Sequence, residues 1–166
     1  DVRQLRRSQH DVADRVDARL GRLLPRIYFD EFALRLDLRA FEANVRRWSD
    51  WSSVVVKEAD SQTLKGVDVV QLGGCPARLF SVDGGHTSEI VAIDLATAEE
   101  ALAPGGIIVL DDVFNDEWPG VVVGTLDHLN RGSSLVPFCV GFNKTYLTTS
   151  GEHADQYRAV LRDHYA

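Results

Sequence analysis

The sequence predicts an α/β domain: a mostly parallel sheet with helices on both faces and an antiparallel hairpin at the C-terminal end. Two observations carry this. Residues 79–110 read as strand, turn, helix, strand, with a short apolar run at 79–82, helical spacing through Ile90, Val91, Asp94, Leu95, Ala98, Ala101 and Leu102, and a continuous apolar run at 107–110. A unit of this length is a right-handed crossover between parallel strands. Further on, residues 135–140 and 145–149 flank Gly141-Phe142-Asn143-Lys144, which reads as a hairpin and so as an antiparallel addition to the sheet.

The remaining elements follow in order. Residues 1–24 predict an amphipathic helix, with Leu5, Val12, Val16, Leu20, Leu23 and Leu24 as a sparse stripe among Arg and Asp, and Pro25 ends it. Residues 26–29 read as a short strand leading to Asp30. Residues 38–49 read as a helix with Leu38, Phe41, Val45 and Trp48 inward. The β-branched run at 53–57 predicts a strand that ends in Glu58-Ala59-Asp60-Ser61. Residues 61–78 hold a short helix or irregular piece and the loop Gly73-Gly74-Cys75-Pro76. In the central unit, Thr87 is placed to cap the helix, and Pro104-Gly105-Gly106 is placed to stop it. Pro119 starts another helix with Val122, Leu126 and Leu129 inward, and Gly132-Ser133-Ser134 breaks it. A terminal helix is expected over 152–165, with Tyr157, Val160 and Leu161 inward. No internal repeat or low-complexity linker appears, so the 166 residues read as one domain: an N-terminal helix over 1–25 and a core over 26–166.

Composition narrows the function classes. Hydrophobic residues make up 45% and charged residues 26%, the balance of a globular chain with a real core. A formal net charge of -7 argues against a general nucleic-acid binder. No apolar run approaches the roughly 20 residues that span a bilayer, and no signal-peptide pattern is visible, so a cytoplasmic protein without a membrane partner is expected. Two cysteines, Cys75 and Cys139, make neither a disulfide framework nor a zinc site. Self-association is left open. Met is absent, including at position 1, so part of the translated product is expected upstream of Asp1.

Candidate chemistry sits at the ends of the two central strands. The first ends in Asp83-Gly84-Gly85-His86, where two glycines after an acid allow a sharp turn and a close ligand approach. The second ends in Asp111-Asp112. Parallel strands put both turns at one edge of the sheet, where ligands bind in open α/β folds. Three carboxylates and an imidazole near one point suit a divalent cation and a general base. The plainer alternative is solvated loop acids, with His86 only closing its turn.

The motifs EADS at 58–61, FSVDGGHTSE at 80–89, ALAPGGIIVLDDVF at 101–114, WPGV at 118–121 and GFNKTYL at 141–147 together resemble the class I S-adenosylmethionine-dependent methyltransferases. The likeness is greatest to metal-dependent O-methyltransferases of small molecules, and it covers residues 26–166. It implies a Rossmann-like sheet and transfer of a methyl group from S-adenosylmethionine to a hydroxyl of a small-molecule acceptor. It implies metal ligands at Asp83 and at one or both of Asp111 and Asp112, with magnesium favoured, and a catalytic base at His86. It also implies cofactor contacts from Asp60 and Ser61 to the adenine and from Asp30 to the ribose. The family's first strand and its glycine-rich turn are not seen. Their place is expected upstream of Asp1, and the 166-residue chain alone is expected to bind the cofactor weakly or not at all.

Two rival readings follow from the same residues. The missing glycine turn is what a non-catalytic module using the fold for assembly would show. An Asp-Asp pair at a strand end also suits magnesium in a phosphate-handling receiver, but receivers carry that pair after their first strand, whereas here it follows a late one.

Overall fold

The computed structural model describes residues 38–57 and 59–165. These fall into two units that divide after Trp51. In the first, α1 (Leu38–Trp48) is an amphipathic helix tied by the Glu42–Arg46 pair. Of the expected inward row, Val45 is half-buried, Phe41 is exposed and packs edge-on against Trp51, and Trp48 is 83% exposed under the Arg47 guanidinium. The expected helix over 1–24, the strand at 26–29 and Asp30 lie outside the described residues.

The second unit opens with a run at residues 54–57 that has no regular secondary structure, against the strand expected at 53–57. β-Branched residues suit a strand only where a neighbour takes their backbone hydrogen bonds. Among the described residues none pairs with this run, and Val55 and Val56 are exposed. A 3₁₀ turn at Ser61–Thr63 follows, then α2 (Gly66–Gly73), which ends on Gly74 in the left-handed conformation.

The central unit forms as expected: β1 (Ala77–Val82), α3 (Ser88–Ala101) and β2 (Leu102–Leu110), with β1 and β2 parallel. The Thr87 hydroxyl accepts from the Ile90 amide and caps α3. One detail differs. Pro104-Gly105-Gly106 lies inside β2, not ahead of it. The register steps from Ala77↔Leu102 to Leu79↔Ile107, so extra β2 residues are accommodated at an irregularity without losing the pairing.

Next comes α4 (Pro119–Asn130), followed by β3 (Val136–Gly141) and β4 (Lys144–Thr148), joined by the two-residue turn Phe142-Asn143. β4 adds antiparallel to β2, which gives the order β1-β2-β4-β3 and one parallel pairing among the described residues. α5 (Gly151–Tyr165) closes the chain.

Alternation along the strands separates two faces. Ile108 and Leu110 of β2 and Leu147 of β4 point into a core with Leu95 and Ala98 of α3 and Val121 of α4. Tyr146, paired with Val109, points the other way, where Phe138 joins it to Tyr157 of α5. On the helices the inward rows follow expectation in part: Val122 and Leu129 of α4 pack against the core. In α4 the buried residues are Val121, Gly124 and Thr125, while Leu126 is exposed; in α5 Ala154 is buried and Val160 is exposed. The Glu99 carboxylate of α3 accepts from Ser133 Oγ and Ser134 N and pairs with His128, fixing the loop that leads into β3. Cys75 and Cys139 are free thiols. No helix among the described residues is long and apolar enough to cross a membrane.

Candidate active site

Pairing of Val82 with Leu110 sets the Asp83–His86 turn and the Asp111-Asp112 turn side by side at the carboxyl edge of two parallel strands. The Asp111 amide continues the ladder by donating to Val82 O at 3.0 Å. Asp83, His86 and Asp112 each offer one ligand atom, and these atoms lie within 4.8 Å of one another. His86 Nε2 is 3.1 Å from Asp112 Oδ2, and the Trp118 ring stacks on the imidazole with centroids 4.4 Å apart and planes at 21°.

Asp112 is held more tightly than a loop acid. It has a positive φ of 60°, an uncommon conformation that Asp tolerates better than most residues. Its Oδ1 accepts from Asn115 Nδ2 at 3.0 Å and from Asn143 Nδ2 at 2.5 Å. Burial pushes its pKa up, but hydrogen bonds from Asn115, His86 and Asn143 and the field of His86 outweigh burial, so the carboxyl is held below its ordinary range.

The first turn of α4 presses on the histidine turn. A Cβ built at Gly120 would lie 2.3 Å from His86 O, a backbone atom that cannot rotate away. Gly120→Ala should therefore displace one segment from the other and destabilise the protein by about 1–3 kcal/mol, the range for overpacking. Thermal unfolding of the variant measures this, and an unchanged Tm would show that the two segments are not in fixed contact.

Asp111 has other partners. Its Oδ1 accepts from the Asp112 amide at 2.9 Å, and its Oδ2 forms an ion pair with the Lys144 ammonium. The two acids expected to act together thus have different partners: Asp112 joins the cluster with Asp83 and His86, and Asp111 does not.

Of the expected cofactor residues among those described, Ser61 lies beside β1. A cavity of about 220 Å³ is lined by Ser61, Leu64, Phe80, Asp83, Gly84 and Asp94, among others. Asp60 does not line it. Its carboxylate accepts from the Gln62 amide at 3.0 Å and caps the 3₁₀ turn. Asp94 is the acid that sequence reasoning passed over. It is 9% exposed, burial pushes its pKa up, and a Cβ on Gly84 would meet its Oδ2 at 2.7 Å. Its signal was an acid on the otherwise apolar stripe of α3. Asn115, Asn143 and Lys144 were also missed as site residues, since in the sequence they read only as loop and hairpin turn.

The family profile described as "Methyltransferase domain" matches residues 7–113, more than half of the chain. The chain belongs to that methyltransferase family. Among solved structures, it is similar to the apo structure of CalS11, described as a TDP-rhamnose 3'-O-methyltransferase of calicheamicin biosynthesis, at 20% identity and a TM-score of 0.47, covering 71% of this chain and 54% of that one. A second structure of CalS11, described as a calicheamicin methyltransferase, aligns at 21% identity and a TM-score of 0.47, covering 78% of this chain and 53% of that one. This methyltransferase-family chain thus spans about half the length of each. The comparison with curated proteins gave no match.

Proposed function

We propose that this domain serves S-adenosylmethionine-dependent methyl transfer to a hydroxyl of a small molecule, with His86 as base and a divalent cation at the acidic turns. The observation that carries it is the His86–Asp112 pair, braced by Trp118 and two asparagines, at the carboxyl edge of adjacent parallel strands in a methyltransferase-family chain. Asp112 fixes the imidazole through Nε2 and stabilises the imidazolium that proton uptake creates. With Nε2 donating to Asp112, Nδ1 is the ring nitrogen left to take the acceptor's hydroxyl proton. Trp118 covers one face of the ring and keeps water from it.

The residues fit both implied groups. Asp83 and Asp112 would hold the cation, since magnesium keeps several waters and needs only one or two protein carboxylates. Asp112 Oδ2 can serve His86 and an ion together, because each carboxylate oxygen has two lone pairs. The cavity beside Ser61 is largely apolar, with a few polar groups, as suits an adenine. When bound, the cofactor supplies an electrophilic methyl group, and the cation supplies charge that lowers the hydroxyl's pKa.

Calorimetric titration of the full-length gene product with S-adenosylhomocysteine tests this reading. Binding is expected, and Ser61→Trp, which fills the cavity, should weaken it by about tenfold or more, at ~1.4 kcal/mol per factor of ten. No binding of either S-adenosylhomocysteine or S-adenosylmethionine would instead favour the assembly module.

A further inference from the structure

We propose that Phe142, at the tip of the β3–β4 hairpin, is a specificity-determining residue that stacks on the ring carrying the acceptor's hydroxyl. The inference rests on the proposed function above and adds a substrate class to it: hydroxyls borne on a flat ring, aryl or sugar, over those on open chains. It starts from two costs that meet at one residue. Phe142 has a φ of 58°, in the left-handed region where a bulky side chain is an outlier. Asn143 beside it is not left-handed, so the first position of this two-residue turn alone is, and that position ordinarily belongs to glycine. The Phe142 side chain is also fully exposed, so no packing among the described residues offsets the backbone strain. Strain of this kind gathers at ligand sites, where a side chain is held in place for something outside the fold.

Position in the fold says what that something is. The next residue, Asn143, donates to Asp112 Oδ1 at 2.5 Å, and Asp112 Oδ2 lies 3.1 Å from His86 Nε2. Phe142 therefore stands one residue from the bonds that hold the proposed base. Phe114, two residues after Asp112, is exposed, and so is Trp118, which stacks on the His86 ring. Three aromatic side chains open to solvent thus come from segments that meet at the His86–Asp112 pair. Core packing accounts for none of them, whereas Tyr146, further along the hairpin, is half-buried beside Phe138. An exposed aromatic face gains most by covering a flat ring. A ring laid on Phe142 carries its hydroxyl beside the imidazole; an open-chain alcohol gains nothing from that face.

The test pairs binding with stability in the full-length gene product, with S-adenosylhomocysteine present. Saturation-transfer NMR titration gives the affinity for naphthol, an aryl ring, for methyl glucoside, a sugar ring, and for propylene glycol, which has no ring. At least one ring probe should bind more tightly than the glycol, and which one does so tells the two ring chemistries apart. Phe142→Gly should weaken that binding about 2–10-fold, and Phe142→Trp should keep it. The same glycine should raise Tm by about 2–4 °C, because it relieves the left-handed strain. A merely structural Phe142 gives the opposite sign in Tm. The proposal is overturned if Phe142→Gly fails to raise Tm, if it leaves ring binding unchanged, or if the native protein prefers neither ring to the glycol. Light scattering checks another occupant: a native dimer that Phe142→Gly converts to a monomer puts a second copy of the chain on Phe142 and also overturns it. Native protein that binds S-adenosylhomocysteine but neither ring sinks this inference alone, and protein that binds none of the three sinks the proposed function as well.

Discussion

Replacing His86 by alanine should lower turnover about 10²–10⁴-fold, the usual cost of a lost general base, while Mn²⁺ affinity stays close to native. The expectation comes from the two ring nitrogens having separate duties. Nε2 lies 3.1 Å from Asp112 Oδ2, and in the proposed reaction Nδ1 is the nitrogen that takes the substrate's proton. The same 3.1 Å separation would also suit two neighbouring ligands on one ion, since bonds of about 2.1 Å at a right angle place their ends roughly 3 Å apart. The measurement therefore separates the two duties. Turnover and Mn²⁺ affinity falling together would make His86 a ligand, and native turnover in the variant would remove it from the chemistry.

Asp112→Asn should be nearly as costly, about 10²–10⁴-fold in turnover, because the carboxylate both sets the tautomer of His86 and offsets the charge that His86 gains. Asparagine accepts the same positive φ, so the turn should survive and the loss should be chemical. The amide presents one acceptor where the carboxylate presents two, so it cannot satisfy His86 together with both Asn115 and Asn143. Stability should show a matching pH dependence. The folded-state pKa of Asp112 is depressed, so its contribution is fully present above the unfolded value and is lost as pH falls through the folded one. The Tm gap between native protein and variant should hold at neutral pH and close on acidification from about pH 4 downward. A gap independent of pH, or a variant with unchanged turnover, would show that Asp112 does not act through its charge.

The central unit was readable because it obeys local rules. The apolar runs ending at Val82 and Leu110, the stripe from Val91 to Ala101 and the cap at Thr87 each follow from period and capping chemistry, and together they specify a parallel pair with both acidic turns at one edge. The hairpin turn and the Pro119 start were legible in the same way. Pattern failed where burial depends on a partner that period cannot name. The run at 53–57 has strand composition but no pairing neighbour among the described residues, and Trp48, Leu126 and Val160 sit on expected inward rows yet remain exposed.

The site divides along the same line. The sequence by itself placed Asp83, His86, Asp111 and Asp112 at one sheet edge, because two strand ends and a right-handed crossover leave them little other choice, and the ligand atoms of Asp83, His86 and Asp112 lie within 4.8 Å of one another. Only the tertiary structure decided that Asp111 and Asp112, adjacent in the chain, go to different partners. That outcome depends on the antiparallel return of β4, whose register brings Asn143 and Lys144 to the acidic turn. It also depends on α3 turning Asp94 toward the loop of Gly84 and on α4 laying Trp118 over His86. Local period sets which way a side chain points from its own strand or helix. Which donor it meets across the sheet is set by long-range register, and no short window of sequence encodes that.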